Sequence, residues 1–470
     1  MVRPLVIAAM LSILAACDDT AVQLVFHSRL RIPEELDAMC LQVAAAKDVV
    51  FARRYPMSSS DAGRAHSITV AAGEQSSTQF EFMLRGELRG QQVAWHRQTV
   101  IFGAGAQTRD VYVDHCGGAK GTGNFVAGGR LTSGAGSAVA AMPVAYSAGQ
   151  IVVSWPSTTK RFARLDGTVH QIPGTLPVVS GTVRRALTVD LDGDCDLDLV
   201  LLHSKGPAVW LNDGNGALQT SPSALPVSGD FVDGEAADLD GDGLADLMLV
   251  SSGKVALLLS DTLKPGTFRD ASKQLPATGL DQATAVAIGH LDGNAHLDVI
   301  VARGGSQAAT NTILYNDTAG LARFSRAGTQ LTLKERTSAV AAADLTGDGL
   351  AELIIGDAAA STTIYSPNLQ KKLTKVFTVP NSSAGGVLDI LAADLDNDCD
   401  VDLVLARQAG VRVLLNKGKD KQGRPTFSEP KLGGAALPAT NLAAADITGD
   451  GLLDLALGGD KIGANWLQQK

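Results

Sequence analysis

The sequence is poor in aromatic residues, in cysteine and in positive charge. Only 4% of its 470 residues are aromatic, five are cysteines, and 49 acidic residues outnumber 40 Lys and Arg. The net charge of −9 argues against nucleic acid as a partner, because binding to phosphates needs clustered Lys and Arg. We therefore expect no nucleic-acid partner.

Motifs that carry catalysis are also missing. No Ser has Gly two residues before and two residues after it, and neither an H-E-x-x-H zinc motif nor a Walker-type phosphate loop occurs. The eight His residues are scattered and form no nucleophile–base pattern. These absences favour a binding protein over an enzyme.

Glycine and short apolar segments are plentiful. The chain has 50 Gly and is 45% hydrophobic, a composition typical of many short strands joined by tight turns. No helical period of useful length appears. The sequence therefore predicts an all-β protein.

The first residues have the pattern of an export signal. Arg3 precedes an apolar run from Leu5 to Leu14, which is too short to span a bilayer that needs about 20 residues. The ending Leu14-Ala15-Ala16-Cys17 resembles the lipobox of bacterial lipoproteins, which implies a signal peptide over residues 1–16 and a lipid on Cys17. We expect an exported protein anchored to a membrane at Cys17; the alternative is an ordinary secretory signal with an incidental Cys.

Residues 17–118 are predicted to form a small β-sandwich. Apolar or alternating segments of strand length, such as SITVAA, QVAWHRQTVIF and DVYVD, are separated by Gly, Ser and Pro clusters. In an oxidising compartment, Cys40 and Cys116 are the candidates for a disulfide within this domain. A linker-like segment, GGAKGTGN, begins at Gly117.

Beyond the linker, an acidic turn recurs six times. The copies are DLDGDCDLD from Asp190, DLDGDGLAD from Asp238, HLDGNAHLD from His290, DLTGDGLAE from Asp344, DLDNDCDVD from Asp394 and DITGDGLLD from Asp446. Their starts are separated by 48, 52, 54, 50 and 52 residues. Each copy lies between apolar runs of strand length, so each unit has the size of a four-stranded propeller blade.

The number of units predicts a seven-bladed β-propeller over residues 119–470. RLTSGAGSAV, from Arg130, has the shape of an acidic turn without its carboxylates and is taken as the first copy; six and eight blades are the alternatives, and an open β-solenoid is the rival fold. Closing the ring buries the faces of the blades and their open edges. Phe125 and Val126 are candidates for the strand that closes it.

The acidic turns are predicted to bind Ca²⁺. Calcium takes six to eight oxygen ligands, and carboxylates at positions 1, 3, 5 and 9 of a turn supply several from one segment. Position 4 is Gly or Asn in all six copies, residues that tolerate the positive φ a tightly curled turn needs. Crowded carboxylates without a cation would repel one another.

The copies differ in the ligands they offer. The predicted metal ligands are Asp190, Asp192, Asp194 and Asp198; Asp238, Asp240, Asp242 and Asp246; Asp344, Thr346, Asp348 and Glu352; Asp394, Asp396, Asp398 and Asp402; and Asp446, Thr448, Asp450 and Asp454. The third of the six turns has His290 in position 1, and because imidazole is a poor ligand for Ca²⁺, Asp292, Asn294 and Asp298 are expected to form a weak or empty site. His290 and His296 leave zinc as a less favoured alternative.

The turns, their register and their spacing resemble FG-GAP/VCBS repeats, the type found in the integrin α-subunit propeller and in many bacterial secreted proteins. The resemblance covers residues 124–470. It implies a seven-bladed propeller with calcium bound in the blade turns, mainly as structural support. Such propellers serve adhesion and the recognition of glycans or proteins, and occasionally act as accessory parts of enzymes.

The predicted function is therefore a lipid-anchored, calcium-binding envelope protein whose propeller binds a protein or glycan partner. A lectin and a polysaccharide-active enzyme, such as a lyase built on a calcium propeller, are the alternatives. Four Trp and five Tyr in the whole chain give a lectin little material for stacking on sugar rings. A pH-dependent rate on a polymer substrate would identify the enzyme.

Overall fold

The computed structural model describes most of the chain between residues 124 and 469, together with seven strands that precede it. The described ranges are 21–27, 38–45, 48–56, 66–71, 79–88, 91–101, 107–112, 124–131, 138–142, 150–155, 158–165, 168–172, 181–212, 218–221, 224–294, 296–304, 310–317, 322–326, 336–357, 361–380, 386–398, 400–407, 409–433, 437–448, 452–459 and 464–469. Over these ranges the chain forms 36 β-strands and one 3₁₀ turn, Ser272–Gln274. None of the helical structure in these ranges has the length and apolar character needed to cross a bilayer.

The chain divides into two compact units, residues 1–117 with 193–195, and residues 118–192 with 196–470. Strands of the first unit are β1 (Ala21–His27), β2 (Ala38–Ala45), β3 (Asp48–Pro56), β4 (His66–Ala71), β5 (Gln79–Leu88), β6 (Gln91–Ile101) and β7 (Gln107–Tyr112). They form a three-stranded sheet in the order β4-β1-β7 and a four-stranded sheet in the order β3-β2-β5-β6. The β-sandwich itself stays a prediction.

The predicted pairing of Cys40 with Cys116 is wrong. Cys40 lies in β2 and forms a disulfide with Cys195, and their Cα atoms are 5.4 Å apart, a usual separation for a disulfide. Proximity in sequence favoured Cys116, but a disulfide joins residues that the fold brings together, and the two partners are 155 residues apart. Cys116 and the predicted lipidation site Cys17 lie outside the described residues.

The second unit is a seven-bladed β-propeller, as the sequence predicts. Its strands are β8 (Phe125–Arg130), β9 (Ala138–Met142), β10 (Gln150–Trp155), β11 (Thr158–Leu165), β12 (Thr168–Ile172), β13 (Val183–Val189), β14 (Asp198–His203), β15 (Gly206–Asn212), β16 (Leu218–Thr220), β17 (Asp233–Ala237), β18 (Asp246–Ser251), β19 (Lys254–Ser260), β20 (Phe268–Asp270), β21 (Ala283–Gly289), β22 (Asp298–Arg303), β23 (Thr312–Asn316), β24 (Phe324–Arg326), β25 (Thr337–Ala343), β26 (Glu352–Asp357), β27 (Ser361–Ser366), β28 (Thr374–Pro380), β29 (Val387–Ala393), β30 (Asp402–Arg407), β31 (Arg412–Lys419), β32 (Pro425–Ser428), β33 (Leu432–Gly433), β34 (Asn441–Ala445), β35 (Asp454–Gly458) and β36 (Asn465–Gln469). Four consecutive strands form each of the first six blades, beginning with β9, and the seventh has the order β33-β8-β36-β35-β34.

The ring closes through β8, from the beginning of the unit. β8 pairs antiparallel with β36, with Phe125 opposite Gln469 and Val126 opposite Gln468. The prediction that Phe125 and Val126 supply the closing strand is therefore confirmed. The first strands of successive blades contact one another around the ring, and the last contact joins β34 to β9.

The first, degenerate turn was placed incorrectly. In the other blades the acidic turn connects the first strand to the second, whereas the segment from Arg130 runs from the end of β8 into β9. The corresponding connection of the first blade is residues 143–149, which lie outside the described residues. The segment from Arg130 therefore leads into the first blade and is not the counterpart of the acidic turns.

Continuous apolar runs form the second strands because each blade is covered on both faces. In β14, Leu199 and Leu201 pack toward the first blade, whereas Val200 and Leu202 pack toward the third. Equivalent apolar clusters lie between every pair of neighbouring blades, including the seventh and the first. Since alternate side chains face opposite neighbours, both must be apolar.

A charged network joins the innermost strands across the ring. Arg185, in β13 of the second blade, lies 3.0 Å from Asp233 Oδ1 in the third blade and 3.0 Å from Asp389 Oδ1 in the sixth. The second and sixth blades are not neighbours, so the pair with Asp389 crosses the centre of the propeller. Each carboxylate also accepts a backbone N–H from the following blade: Val286 donates to Asp233 at 3.0 Å and Leu442 donates to Asp389 at 2.9 Å.

We expect Arg185→Met to destabilise the propeller, because it leaves Asp233 and Asp389 buried without their counter-charge. Removing one partner of a buried ion pair costs roughly 3 kcal/mol, which chemical denaturation will measure as a lower free energy of unfolding. Arg184→Met is the matched control, because the Arg184–Asp230 pair is 38% and 42% exposed and such a pair contributes less than about 1 kcal/mol. Equal losses in the two variants would contradict a stabilising role for the central network.

Candidate metal sites in the acidic turns

The acidic turns connect the first and second strands of blades two to seven. Their curled backbone requires positive φ at position 4, and the structure shows it at Gly193, Gly241, Gly293, Gly347 and Asn397, with φ between 56° and 80°. Position 6 also has positive φ in three turns, at Cys195 (75°), Gly243 (92°) and Gly349 (94°). The conformation predicted for position 4 is confirmed at these five residues; Gly449 lies outside the described residues.

The carboxylate at position 9 fastens each turn to the rest of its blade. Asp246 is fully buried; one of its oxygens accepts the N–H of Leu239 in the turn at 2.9 Å, and the other accepts the N–H of Ser260 in the third strand at 2.8 Å. The same double arrangement holds Asp198, Asp298, Asp402 and Asp454, and in the fifth blade Glu352 takes the N–H of Leu345 and the hydroxyl of Ser366. Position 9 is therefore a structural residue of the blade as well as a candidate ligand.

Burial makes the ionised form of these carboxyls costly. It raises the pKa of Asp402 to about 8 and that of Glu352 to about 7. Burial and then the neighbouring carboxylate of Asp240 raise the pKa of Asp246 well above its usual value. A cation beside the turn would offset both the lost hydration and the repulsion.

The carboxylate at position 1 holds the curl of the turn. Asp238 Oδ1 accepts the N–H of Gly241 at 2.7 Å and of Asp242 at 3.1 Å, and its Oδ2 accepts the N–H of Gly243 at 2.9 Å. Asp344 makes the equivalent bonds to Asp348 and Gly349 in the fifth blade. Oδ2 of Asp238 accepts one of these three bonds and so keeps a lone pair that can bind a ligand.

Three turns bring three carboxylates together. One oxygen of each residue lies within 4.8 Å of the others in the groups Asp190, Asp192 and Asp194; Asp238, Asp240 and Asp246; and Asp394, Asp396 and Asp402. The predicted ligands Asp198, Asp242 and Asp398 lie outside these groups. Oxygen-only groups of this kind suit a hard divalent cation, for which they supply part of the coordination shell.

Asp396 provides the clearest sign that a cation fits. Its Oδ1 is buried and has no hydrogen-bond partner among the described residues. A buried carboxylate oxygen without a donor is costly. A bound metal ion would satisfy this atom.

The remaining predicted ligands are less closely grouped. In the fifth blade, Thr346 Oγ1 donates to Glu352 Oε1 at 3.4 Å, and Asp348 Oδ1 accepts the N–H of Leu350 at 3.0 Å. In the seventh blade, Asp454 accepts N–H groups of the turn, whereas Asp450 lies outside the described residues. In the part of the chain that the structure describes, neither turn gathers three carboxylates.

Two lysines beside the turns were missed by the sequence analysis. Lys417, in β31, places Nζ 2.8 Å from Asp396 Oδ2 and 3.0 Å from Asp398 Oδ2. Lys371, in the fifth blade, places Nζ 2.9 Å from Asp292 Oδ2 in the fourth. Neither lysine belongs to an acidic turn, so the spacing of those turns in the sequence gives no indication of them.

The comparisons with known proteins agree with this architecture. A family model described as an FG-GAP-like repeat matches residues 190–249, 238–301, 290–355 and 394–457, so that every match contains two successive acidic turns. A comparison with curated protein sequences gives no match.

Among solved structures, the chain is similar to a lectin from Agrocybe aegerita reported to recognise non-reducing terminal N-acetylglucosamine, with a TM-score of 0.46 and 16% identity over 64% of this chain and 80% of that one. Residues 190–355 and 394–457 therefore contain FG-GAP-like repeats, and the second unit of the chain is a seven-bladed β-propeller.

Proposed function

We propose that the propeller is a calcium-stabilised binding module, and that Ca²⁺ occupies the turns that gather three carboxylates. The observation that carries this is the buried, unpartnered Oδ1 of Asp396 within the group of Asp394, Asp396 and Asp402. Calcium accepts irregular oxygen coordination, whereas Mg²⁺ demands near-ideal octahedral geometry. Ca²⁺ would neutralise the crowded carboxylates and fix the turn.

The binding role is proposed from the position of the turns. Each joins the first to the second strand of its blade, so all six emerge on the same face of the ring. Ions held there would fix the shape of that face without taking part in chemistry. A rigid face built from loops on a scaffold suits recognition of a protein or glycan partner.

The location is proposed from the Leu14–Cys17 segment. A lipid on Cys17 would hold the module at a membrane surface on the exported side. There, millimolar free calcium is enough to fill sites of modest affinity, as in extracellular calcium-binding modules.

Calcium binding is tested by thermal unfolding in Ca²⁺ and in EGTA. When an ion binds only the folded state, a free concentration of about 100 times Kd adds about 2.7 kcal/mol per site, so the melting temperature should rise clearly with calcium. Asp240→Asn should reduce this calcium-dependent rise, because the contacts of Asp240 with the described residues are weak: a long N–H bond from Asp242 at 3.3 Å and the exposed Arg269 guanidinium at 3.7 Å.

Asp246→Asn is the contrasting variant in the same turn. Because both oxygens of Asp246 accept backbone N–H groups, this change should lower the melting temperature in EGTA as well. An unchanged melting curve of the wild type in excess EGTA would refute calcium as a structural ion.

Partner binding is tested with the purified full-length protein on glycan arrays and on proteins of the native envelope. We expect binding in Ca²⁺ that is lost in EGTA and weakened in Asp240→Asn and Asp396→Asn. Binding that is equal in EGTA would contradict a face shaped by calcium. Cleavage of a polysaccharide by the protein would show that it is an enzyme and not only a binding module.

The membrane anchor is tested by Cys17→Ser. The wild type should incorporate a labelled fatty acid and partition into detergent, whereas the variant should do neither. Labelling that persists in the variant would place the lipid elsewhere.

A further inference from the structure

The fourth blade has an acidic turn with a positive charge built into it. Lys371 Nζ lies 2.9 Å from Asp292 Oδ2 in this turn and 2.8 Å from Asp317 Oδ1, just beyond β23. The same ammonium lies 4.2 Å from the centre of the Tyr315 ring. Two carboxylates and an aromatic face thus surround one cation.

The oxygens of this turn are already engaged. Asn294 Nδ2 donates to Asp292 Oδ2 at 3.1 Å, and Asn294 Oδ1 accepts the N–H of His296 at 2.7 Å. Asp298 accepts the N–H groups of Leu291 and Asn316 at 3.0 and 2.9 Å, as the carboxylates at position 9 of the other turns do, so the difference lies at positions 3 and 5. The side chain at position 5 therefore presents amide hydrogens to Asp292 where a metal site needs oxygen.

The loop that carries Lys371 is shaped to present it. Asn368 accepts the N–H of Lys371 with its carbonyl at 2.8 Å and the N–H of Lys372 with its side chain at 3.0 Å. Lys371 has a φ of 61°, which costs a residue with a Cβ roughly 1 kcal/mol. Leu369 from the same loop covers Gly293 of the turn so closely that a Cβ on Gly293 would overlap it.

The sixth blade shows the contrast. Lys417 belongs to the same blade as the turn it contacts, and it leaves Asp396 Oδ1 without a partner among the described residues. The acidic turn of the sixth blade has a group of three carboxylates, whereas the described residues of the acidic turn in the fourth blade form no such group. A lysine beside an acidic turn therefore does not by itself satisfy all the oxygens that a metal ion could bind.

We propose that the Lys371 ammonium is the built-in counter-charge of the acidic turn in the fourth blade. Its ammonium neutralises this turn, where the other turns are proposed to bind a metal ion, and it joins the fourth blade to the fifth. The turn keeps its shape without metal. The inference rests on the proposed calcium binding only for the contrast with the other turns.

The test is a double-mutant cycle of Asp292→Asn and Lys371→Met, measured by thermal unfolding in Ca²⁺ and in EGTA. Each single variant should lower the melting temperature by the same amount in both conditions. The double variant should be no less stable than the worse single variant, because the two residues act through one contact. Lys372→Met, at the exposed neighbour in the same loop, should leave the melting temperature unchanged.

Native mass spectrometry supplies a second readout. The number of bound calcium ions should be the same in the wild type, Asp292→Asn and Lys371→Met, and lower by one in Asp240→Asn. A loss of one ion in Asp292→Asn, or a loss of stability in that variant that disappears in EGTA, would overturn the proposal. So would additive losses in the double variant.

The two proposals fail in different ways. If calcium has no effect on the wild type, the calcium proposal fails, and the cycle measured in EGTA still decides the role of Lys371. If calcium stabilises the wild type and the cycle is additive, calcium binding stands and the inference about Lys371 fails.

Discussion

The propeller depends on one buried carboxylate in each of six blades. At position 9 of every acidic turn, the two oxygens accept hydrogen bonds from the turn and from the third strand, as Asp246 does with Leu239 and Ser260. Without this residue, two hydrogen-bond donors in the interior would lose their acceptors, which is costly in a dry core. The carboxylate in turn brings a negative charge inside, and the structure must compensate it.

The blades compensate that charge in different ways. The second, third and sixth gather three carboxylates that suit a divalent ion. The fourth has lost the carboxylates at positions 1 and 5 and receives an ammonium from the next blade. At the centre of the ring, Arg185 balances Asp233 and Asp389 in the same manner. The buried carboxylate therefore recurs at the same position of the repeat, whereas the groups that can neutralise it differ from blade to blade.

The sequence predicted what local chemistry determines. Turn carboxylates, positive φ at position 4, the period of about 50 residues and even the closing strand at Phe125 can be recognised from residues that are near one another or recur in register. The pairing of Cys40 with Cys195, the lysines at Asp292 and Asp396, and the crossing from Arg185 to Asp389 could not be predicted. Each joins segments that are distant in sequence, and one sequence does not show which distant side chains meet. The dual role of position 9 was missed for the same reason, because Ser260 and its equivalents lie in another strand.

Ring closure by β8 has a consequence for biosynthesis. β8 is among the first strands of the propeller to be made, and its partner β36 is the last. A chain that emerges N-terminus first must hold β8 without its partner while six blades form. An open strand edge can pair with a second chain, so this interval favours exchange of the last strands between two copies, and the loss of chain entropy on joining such distant segments slows the final step.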